Sequence, residues 1–440
     1  MRHAGDRMTD VDGAGLRGAS PVPVVLGPVV TGAHRVVVRP GRFDDHPRWR
    51  ELRLRDRALI EPFWSRSALT WDERHRRNEW VREVLDSRRH IASGRALPCV
   101  IDVDGALAGQ VALTAIDTVT ATAELGIWID SRLGRSGVAT VATGMLVDHA
   151  FSTLGIRRVV APAATDNAPA ARASARAGFH RAATLPGWAP TGGHDVVAHD
   201  LWVLDRDDLG PGGLTTVGLR MTDPTADAVD VEALTRPARG HATVPHRFDD
   251  AVAVARHGLG RARTRVRRMG PPPMPADLDV AGTGLRLRRR RVLTAPMVSA
   301  RSATLDDLCG PIRSGAWFDT DDADVVYEVR DTHTTVGRIA LVGVNRSQGF
   351  AELAVSVDRS AASASDRAIG QAIRDVLGHA MSAMSLRRIS TAVLRSDVRA
   401  GRLADAAGLH HETSLDGADC GRAAGTVEVW GLSATGDATV

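Results

Sequence analysis

WIDSRLGRSGVATVATG, residues Trp128 to Gly144, leaves an apolar stretch, crosses a glycine-bearing loop and enters a helical pattern. The preceding ATAELGIWID alternates with the period of a strand. The helix is expected to start near Val138. The first backbone N–H groups of a helix have no internal acceptors, and the aligned peptide dipoles put about half a positive charge there. Gly134 and Gly137 remove side chains, and Arg132 and Arg135 add positive charge on the same loop. A diphosphate could approach such a backbone closely.

The flanking sequence supplies a layer for this loop. VVVRPGRFDDHPRWRELRLRDRALIEPF reads as a strand, a turn and a helix, with Trp49, Leu52, Leu54 and Leu59 recurring near a helical period. A second helical stretch covers about residues 71–85. LPCVIDVDGALAGQVALTAI is two apolar runs around Asp104-Gly105, a hairpin signal. IRRVVAPAA is a further strand. NAPAARASARAGF is a helix with Asn167 near its cap, Pro169 in its first turn and Gly178 as its stop. HDVVAHDLWVL closes with a strand. The order predicts an α+β fold, a mixed and mostly antiparallel sheet flanked by helices.

Comparing the chain with itself shows this pattern twice. AELGIWID, Ala123 to Asp130, matches AELAVSVD, Ala351 to Asp358; the two glutamates are 228 residues apart. AFSTLGIRRV matches AMSAMSLRRI, and ARAGFHR matches DAAGLHH with its glycine 230 residues on. The drift places a two-residue insertion between the matched blocks. Two domains of one fold are expected, at residues 32–209 and 297–436. Residues 1–31 read as a disordered tail. Residues 210–296 read as an Arg/Pro/Gly-rich linker that mostly lacks a packed core. VSARS, residues 298–302, is the expected first strand of the second copy.

Composition narrows the class. The 440 residues carry a net charge of only +4, which does not by itself imply a nucleic-acid partner, although GRARTRVRRMGPPPMP and LRLRRRR offer an anionic surface such as ribosomal RNA a contact. Every basic side chain other than histidine is arginine, so a lysine-bearing phosphate loop is excluded. A literal GxGxxG, Gly13 to Gly18, has neither a strand before it nor a helix after it. Cys99, Cys309 and Cys420 are far apart, and His410-His411-Glu412 lacks zinc-site spacing, so neither disulfides nor a metal are expected. No apolar run approaches the roughly 18 residues of a membrane span. A cytoplasmic protein with no membrane contact is expected.

AELGIWI, GRSGVAT and DNAPAARASARAGF, in that order and spacing, resemble the GNAT-superfamily N-acetyltransferases, with the ribosomal-protein N-terminal acetyltransferases of the RimJ/RimL type as the nearest group. WRELRLRDRALIEPFW resembles that group's first helical region. The resemblance implies two GNAT-like domains and acetyl-CoA as cosubstrate. It implies that the pantetheine arm lies beside the strand from Gly126 to Ile129, next to Trp128. It also implies that Gly134, Arg135, Ser136, Gly137, Val138, Ala139 and Thr140 hold the pyrophosphate. The family's Gln/Arg position is Gly134 here, a departure that Arg132 or Arg135 could cover. Asn167 matches the family asparagine near the pantetheine, and Ser174 matches the position that approaches the thioester sulfur.

Glu124 is the candidate general base, because Glu124, Gly126 and Trp128 share one strand face and the apolar Leu125, Ile127 and Ile129 share the other. The plainer reading is an ordinary polar strand residue, and Glu352 in the second copy keeps that reading open. The sole tyrosine, Tyr327, lies in the second copy. The thiolate would therefore take its proton from Ser174 or a water, or leave unassisted. Ser174 could equally be a packing residue of its helix.

The acceptor is expected to be a primary amine. At pH 7 an α-amine is about 10–15% neutral and a lysine amine on the order of 0.04%, which favours a protein or peptide N-terminus. A small-molecule amine is the alternative acceptor, and a non-catalytic acyl-CoA-responsive or ribosome-associated protein is the alternative class. In the second copy Ser365 or its neighbours replace the loop glycine, Asp366 brings negative charge, Asp397 replaces Asn167 and Ala404 replaces Ser174. That copy is expected to be degenerate and not to bind acetyl-CoA.

Overall fold

The computed structural model describes residues 24–64, 67, 69–118, 121–189, 197–237, 251–258, 274–290, 325–331, 334–346, 349–357, 365–416 and 425–433. The first half runs β1 (Val24–Thr31), β2 (His34–Arg39), α1 (His46–Arg55), α2 (Arg57–Ile60), α3 (Trp71–Arg74), α4 (Arg77–Ala92), β3 (Leu97–Val103), β4 (Ala106–Asp117), β5 (Thr122–Ile129), α5 (Val138–Thr153), β6 (Arg158–Ala164), α6 (Ala168–Arg176), β7 (His180–Ala189) and β8 (Val197–Asp205). Then come α7 (Gly213–Arg220), α8 (Val231–Leu234), β9 (Thr235–Pro237) and a helical stretch α9 at residues 251–258. The second half runs β10 (Asp277–Val280), β11 (Leu285–Arg290), β12 (Val325–Arg330), β13 (Thr335–Asn345), β14 (Phe350–Val357), α10 (Asp366–Ala383), β15 (Arg388–Leu394), α11 (Val398–Ala406), β16 (His410–Asp416) and β17 (Thr426–Ser433).

Two mixed sheets result. The first has the order β7-β8-β6-β5-β4-β3-β2-β1-β9, and the second β16-β17-β15-β14-β13-β12-β11-β10. Strand for strand the second order repeats the first, apart from β9. Each sheet has one parallel pair, β5–β6 and β14–β15, and is otherwise antiparallel. The hairpin expected at Asp104-Gly105 is present. Both residues have positive φ, 54° and 88°, as a two-residue turn between right-twisting strands requires.

The faces of the first sheet follow from strand alternation. Val36, Val38, Ile101, Val111, Leu113, Ala123 and Leu125 point to one face and bury against α5. Val100, Leu107 and Trp128 point to the other and bury against Trp49, Leu52, Trp71 and Trp80 from α1, α3 and α4. α5 is buried on nearly all sides because α7 covers its outer face. A Cβ on Gly144 would lie 2.5 Å from the Thr215 nitrogen, and one on Gly218 2.9 Å from the Val141 nitrogen, so the two helix backbones touch. Asp148 of α5 caps α7, accepting from the Leu214 and Thr215 N–H groups at 2.8 Å each and from the Thr215 hydroxyl at 2.6 Å.

Three expectations are corrected. The tail does not extend to residue 31: Val24–Thr31 is a strand paired with β2 and β9, and Leu26 and Val29 lie in the core despite the intervening Gly27-Pro28. The stretch 210–296 is not simply a linker, since it contributes α7, α8 and β9 to the first half and β10 and β11 to the second. LRLRRR is an alternating strand with Leu285 and Leu287 buried and Arg286, Arg288 and Arg290 outward, and Arg286 and Arg290 pair with Asp279 and Glu328. The counterpart of β2 in the second half is thus β11. Residues 1–23 with their GxGxxG, residues 259–273 and 291–324 with VSARS, and residues 358–364 lie outside the described residues, as do Cys309 and Cys420.

Candidate functional site

The parallel pair β5–β6 is joined over three positions only, Thr122 with Arg158, Ala123 with Val159 and Glu124 with Val160. Beyond Glu124 the strands part. Asp130 donates its N–H to Ala108 at 2.7 Å, and β5 pairs with β4 through to Ile129. The even-numbered residues therefore direct their backbone groups to β4, and the Leu125 carbonyl and the backbone groups of Ile127 and Ile129 face the gap. The C-terminal ends of both parallel strands face the same way. The Asp130–Gly137 loop with α5 and the Asn167 turn with α6 consequently stand at one end of this gap, where open α/β sheets hold their ligands.

Glu124 sits at the apex of the gap. It is 7% exposed, and its Oε2 is buried with no hydrogen-bond partner. Burial pushes its carboxyl up to about 8. Its side chain shares a sheet face with Thr114 and Val160, as the alternation predicts.

The loop is fastened at its start. Asp130 accepts from the Arg132 N–H at 2.9 Å, Arg48 Nη2 at 3.2 Å and Arg55 Nη2 at 2.5 Å. Asp56 accepts from the Ser131 N–H at 3.0 Å and its hydroxyl at 2.9 Å. Burial opposes the ionisation of Asp56, but the Arg55 and Ser131 hydrogen bonds and the Arg55 charge hold its carboxyl down at about 2. Arg132, Gly134 and Arg135 are exposed, and Arg135 adopts φ 65°. Ser136 donates its hydroxyl to the Leu133 carbonyl at 2.7 Å. α5 begins at Val138, as expected, with Ala139 and Thr140 half-buried in its first turn; its N-cap position is Gly137, and Ser136 Oγ accepts from the Val138 N–H at 3.4 Å. Gly137 precedes it at φ 79°. A Cβ there would meet Thr222 Cγ2 at 2.8 Å and Thr31 Oγ1 at 3.0 Å, and those two threonines are hydrogen-bonded to each other at 2.9 Å. Glycine at 137 is thus demanded by the backbone and by α7's end, whereas Gly134, at φ −56°, is free of that demand.

Asn167 is the N-cap of α6, accepting from the Ala170 N–H at 3.2 Å, and Ser174 is half-buried seven residues on, along the same helix face. Trp128 is a buried wall residue. Its indole and that of Trp49 donate to Gln110 Oε1 at 2.9 and 3.0 Å. Arg53 lies over the rings of Trp64, Trp71 and Trp128, with its carbon 3.8, 4.8 and 5.1 Å from their centroids. Burial pushes Arg53 down to about 9, and it donates to His75 Nε2 at 2.9 Å. Burial and the Arg53 charge push His75 down to about 3, so it is neutral. Sequence reading missed this Arg53–His75 pair and the threonines at Gly137. Their spacing carries no signal, because each contact joins residues distant in sequence.

The second sheet has the same gap with one difference. β14 and β15 pair at Phe350–Glu352 and Arg388–Ser390, then part. There Thr391 donates its hydroxyl across to the Leu353 carbonyl at 2.9 Å. The matching residues of the first sheet are Ala161 and Leu125. Asp397 caps α11 as Asn167 caps α6, accepting from the Ala400 N–H at 3.0 Å. Asp366 does open α10, as expected, and Arg399 of α11 pairs with it at 2.8 Å. Tyr327 is fully buried, donates to the Pro275 carbonyl at 2.7 Å, and is pushed up to about 12 by burial. Among the described residues no group of histidine, cysteine or carboxylate side chains is arranged to hold a metal, and no helix is long and apolar enough to cross a membrane.

Residues 35–180 match the family model described as acetyltransferase (GNAT) domain. YdaF of Bacillus subtilis, named as a ribosomal N-acetyltransferase, is 32% identical over 96 residues, which are 22% of this chain and 52% of YdaF; the chain thus spans about half the length of that relative. Among solved structures, Mycobacterium smegmatis RimJ in complex with CoA-disulfide is 27% identical, with a TM-score of 0.42 over 44% of this chain and 92% of that one. RimL, a ribosomal L7/L12 α-N-protein acetyltransferase in complex with coenzyme A, is 19% identical, with a TM-score of 0.36 over 42% of this chain and 99% of that one.

Proposed function

We propose that this chain, whose residues 35–180 match the acetyltransferase (GNAT) domain model, transfers an acetyl group from acetyl-CoA to a primary amine, the α-amine of a protein or peptide N-terminus. The observation that carries this reading is the parting of β5 from β6 at a buried carboxyl, Glu124, whose Oε2 has no hydrogen-bond partner.

The residues present suit the coenzyme. The start of α5, where Ser136 Oγ meets only the Val138 N–H, and the exposed Arg132 and Arg135 suit its diphosphate, and the backbone edge of Ile127 and Ile129 suits its amide-bearing arm. Bound there, acetyl-CoA supplies an activated acyl carbon: the amine nitrogen bonds to it, the carbon–sulfur bond breaks, and coenzyme A leaves as the thiolate. A β5 N–H facing the gap steadies the developing oxyanion. Glu124 takes the proton that the amine must lose. Its raised proton affinity makes it a stronger base than an ordinary carboxylate, closer to the amine it serves. Ser174 or water serves the thiolate, since the one tyrosine is committed elsewhere.

The second half fits a GNAT-like partner that has given up coenzyme binding. Its strand order repeats the first, but Thr391 closes its gap and Asp366 stands at its helix start. The name of YdaF favours a ribosomal-protein acceptor. Release of free thiol from acetyl-CoA is the test, with peptides bearing free or blocked N-termini. Turnover with the free set alone supports the reading. Equal turnover with a blocked peptide containing lysine overturns the α-amine, and no turnover with any amine overturns the activity.

A further inference from the structure

The sheet face that carries Glu124 has two covers. Over β2–β5 lies the tryptophan cluster of α1, α3 and α4, which ends at Trp128. Over β6–β8 lies the other half of the chain. Val160, Leu185, Leu201 and Val203 bury against Leu415, Val427 and Val429 of β16 and β17, with Ala392 and Leu394 of β15 at the margin. Leu185 pairs across β7–β8 with His199, and Leu415 pairs across β16–β17 with Val427. These are matching positions of the two sheets, so like faces meet. Val160 is the β6 residue in register with Glu124. The carboxyl therefore lies at the seam between the two covers.

We infer that the second half of the chain is the acceptor-side wall of the first half's site, covering β6–β8 beside Glu124 so that an amine reaches the carboxylate only end-on, between the tryptophan cluster and β15–β17. The amine in this statement rests on the function proposed above; the covering of position 124 does not. The wall residues are apolar. An apolar seam disfavours an ammonium ion and admits a neutral amine at the tip of a slender chain. It excludes bulky or internally placed amines. The class selected is an unhindered terminal amine on an extended segment.

The test uses the full chain in two parts. Glu124→Cys, with Cys309 and Cys420 replaced by serine, is alkylated with iodoacetamide with and without Leu415→Asp. The remaining Cys99 is buried and pushed up to about 12 by burial, which keeps it unreactive. Opening the seam is expected to raise the alkylation rate about tenfold or more, as exposure of a buried thiol does. An unchanged rate overturns the wall. Where Leu415→Asp lowers the folded fraction seen by circular dichroism, the pair Leu415→Ala and Val427→Ala decides, with a smaller rise expected and an unchanged rate again overturning the inference. In the chain retaining Glu124, Leu415→Asp is expected to raise the acceptor KM while the coenzyme A Kd holds; a Kd that moves with KM overturns it. If alkylation responds but no amine is ever acetylated, the proposed activity fails and the wall stands.

Discussion

Thr391 stands in the second sheet where Ala161 stands in the first, and its hydroxyl ties β15 to the Leu353 carbonyl of β14 at 2.9 Å. One side chain thus closes a gap that its counterpart leaves open. Ala161→Thr should install the same tie to Leu125. Coenzyme A affinity is expected to fall about tenfold or more, a loss of about 1.4 kcal/mol. Titration calorimetry on the variant checks this, and a Kd within twofold of the parent counts against the gap as the coenzyme's seat.

Glu124→Gln keeps the shape of the side chain and removes its basicity. Turnover should fall by about 10²–10⁴-fold, with coenzyme A affinity unchanged. Only the carboxylate accepts a proton, so activity of the parent should rise with pH through about 8. A flat pH profile between 6 and 9 for the parent would place the base elsewhere.

The same carboxyl predicts how stability depends on pH. In the unfolded chain it titrates near 4.5, and in the folded chain burial raises it to about 8. Between those values the folded protein binds more protons than the unfolded one, so stability falls as pH rises across that window. The loss is on the order of a few kcal/mol. Urea unfolding of the parent and of Glu124→Gln at pH 6 and pH 9 should show a shallower fall in the variant.

Gly137→Ala meets both a left-handed backbone and two threonines. A loss of about 1–3 kcal/mol in stability is expected, with weaker coenzyme A binding because the start of α5 shifts. Ser365→Asp in the second half replaces one good N-cap by another and should change neither property. Thermal melts and calorimetry on both variants make the comparison, and equal effects would remove the asymmetry between the two halves.

Asp148→Ala leaves two α7 N–H groups and the Thr215 hydroxyl without their acceptor. A loss of about 1–3 kcal/mol is expected. Hydrogen exchange should quicken in α7 ahead of the sheet. Uniform quickening would mean that α7 is not a separable unit.

Much of this was legible in the residues. Strand alternation in AELGIWI assigned Glu124 its face, Asp104-Gly105 announced its turn, and Asn167 announced its cap. The recurrence of AEL 228 residues later foretold the repeated strand order. α7 was not legible. GLTTVGLR is short and holds two glycines, and what fixes it is the close approach of two helix backbones at Gly144 and Gly218. β1 was hidden by Gly27-Pro28, and β11 by arginines that obscured its leucine alternation. Trp128, expected beside the coenzyme arm, turns its ring into the tryptophan cluster, because an indole N–H needs the partner that Gln110 provides.

The meeting of like faces through Leu185 and Leu415 has the form of a homodimer contact carried on a single polypeptide. A tether of ordinary length holds such partners at an effective concentration of about millimolar. Dilution should not separate them, and the contact between β7 and β16 holds at any protein concentration.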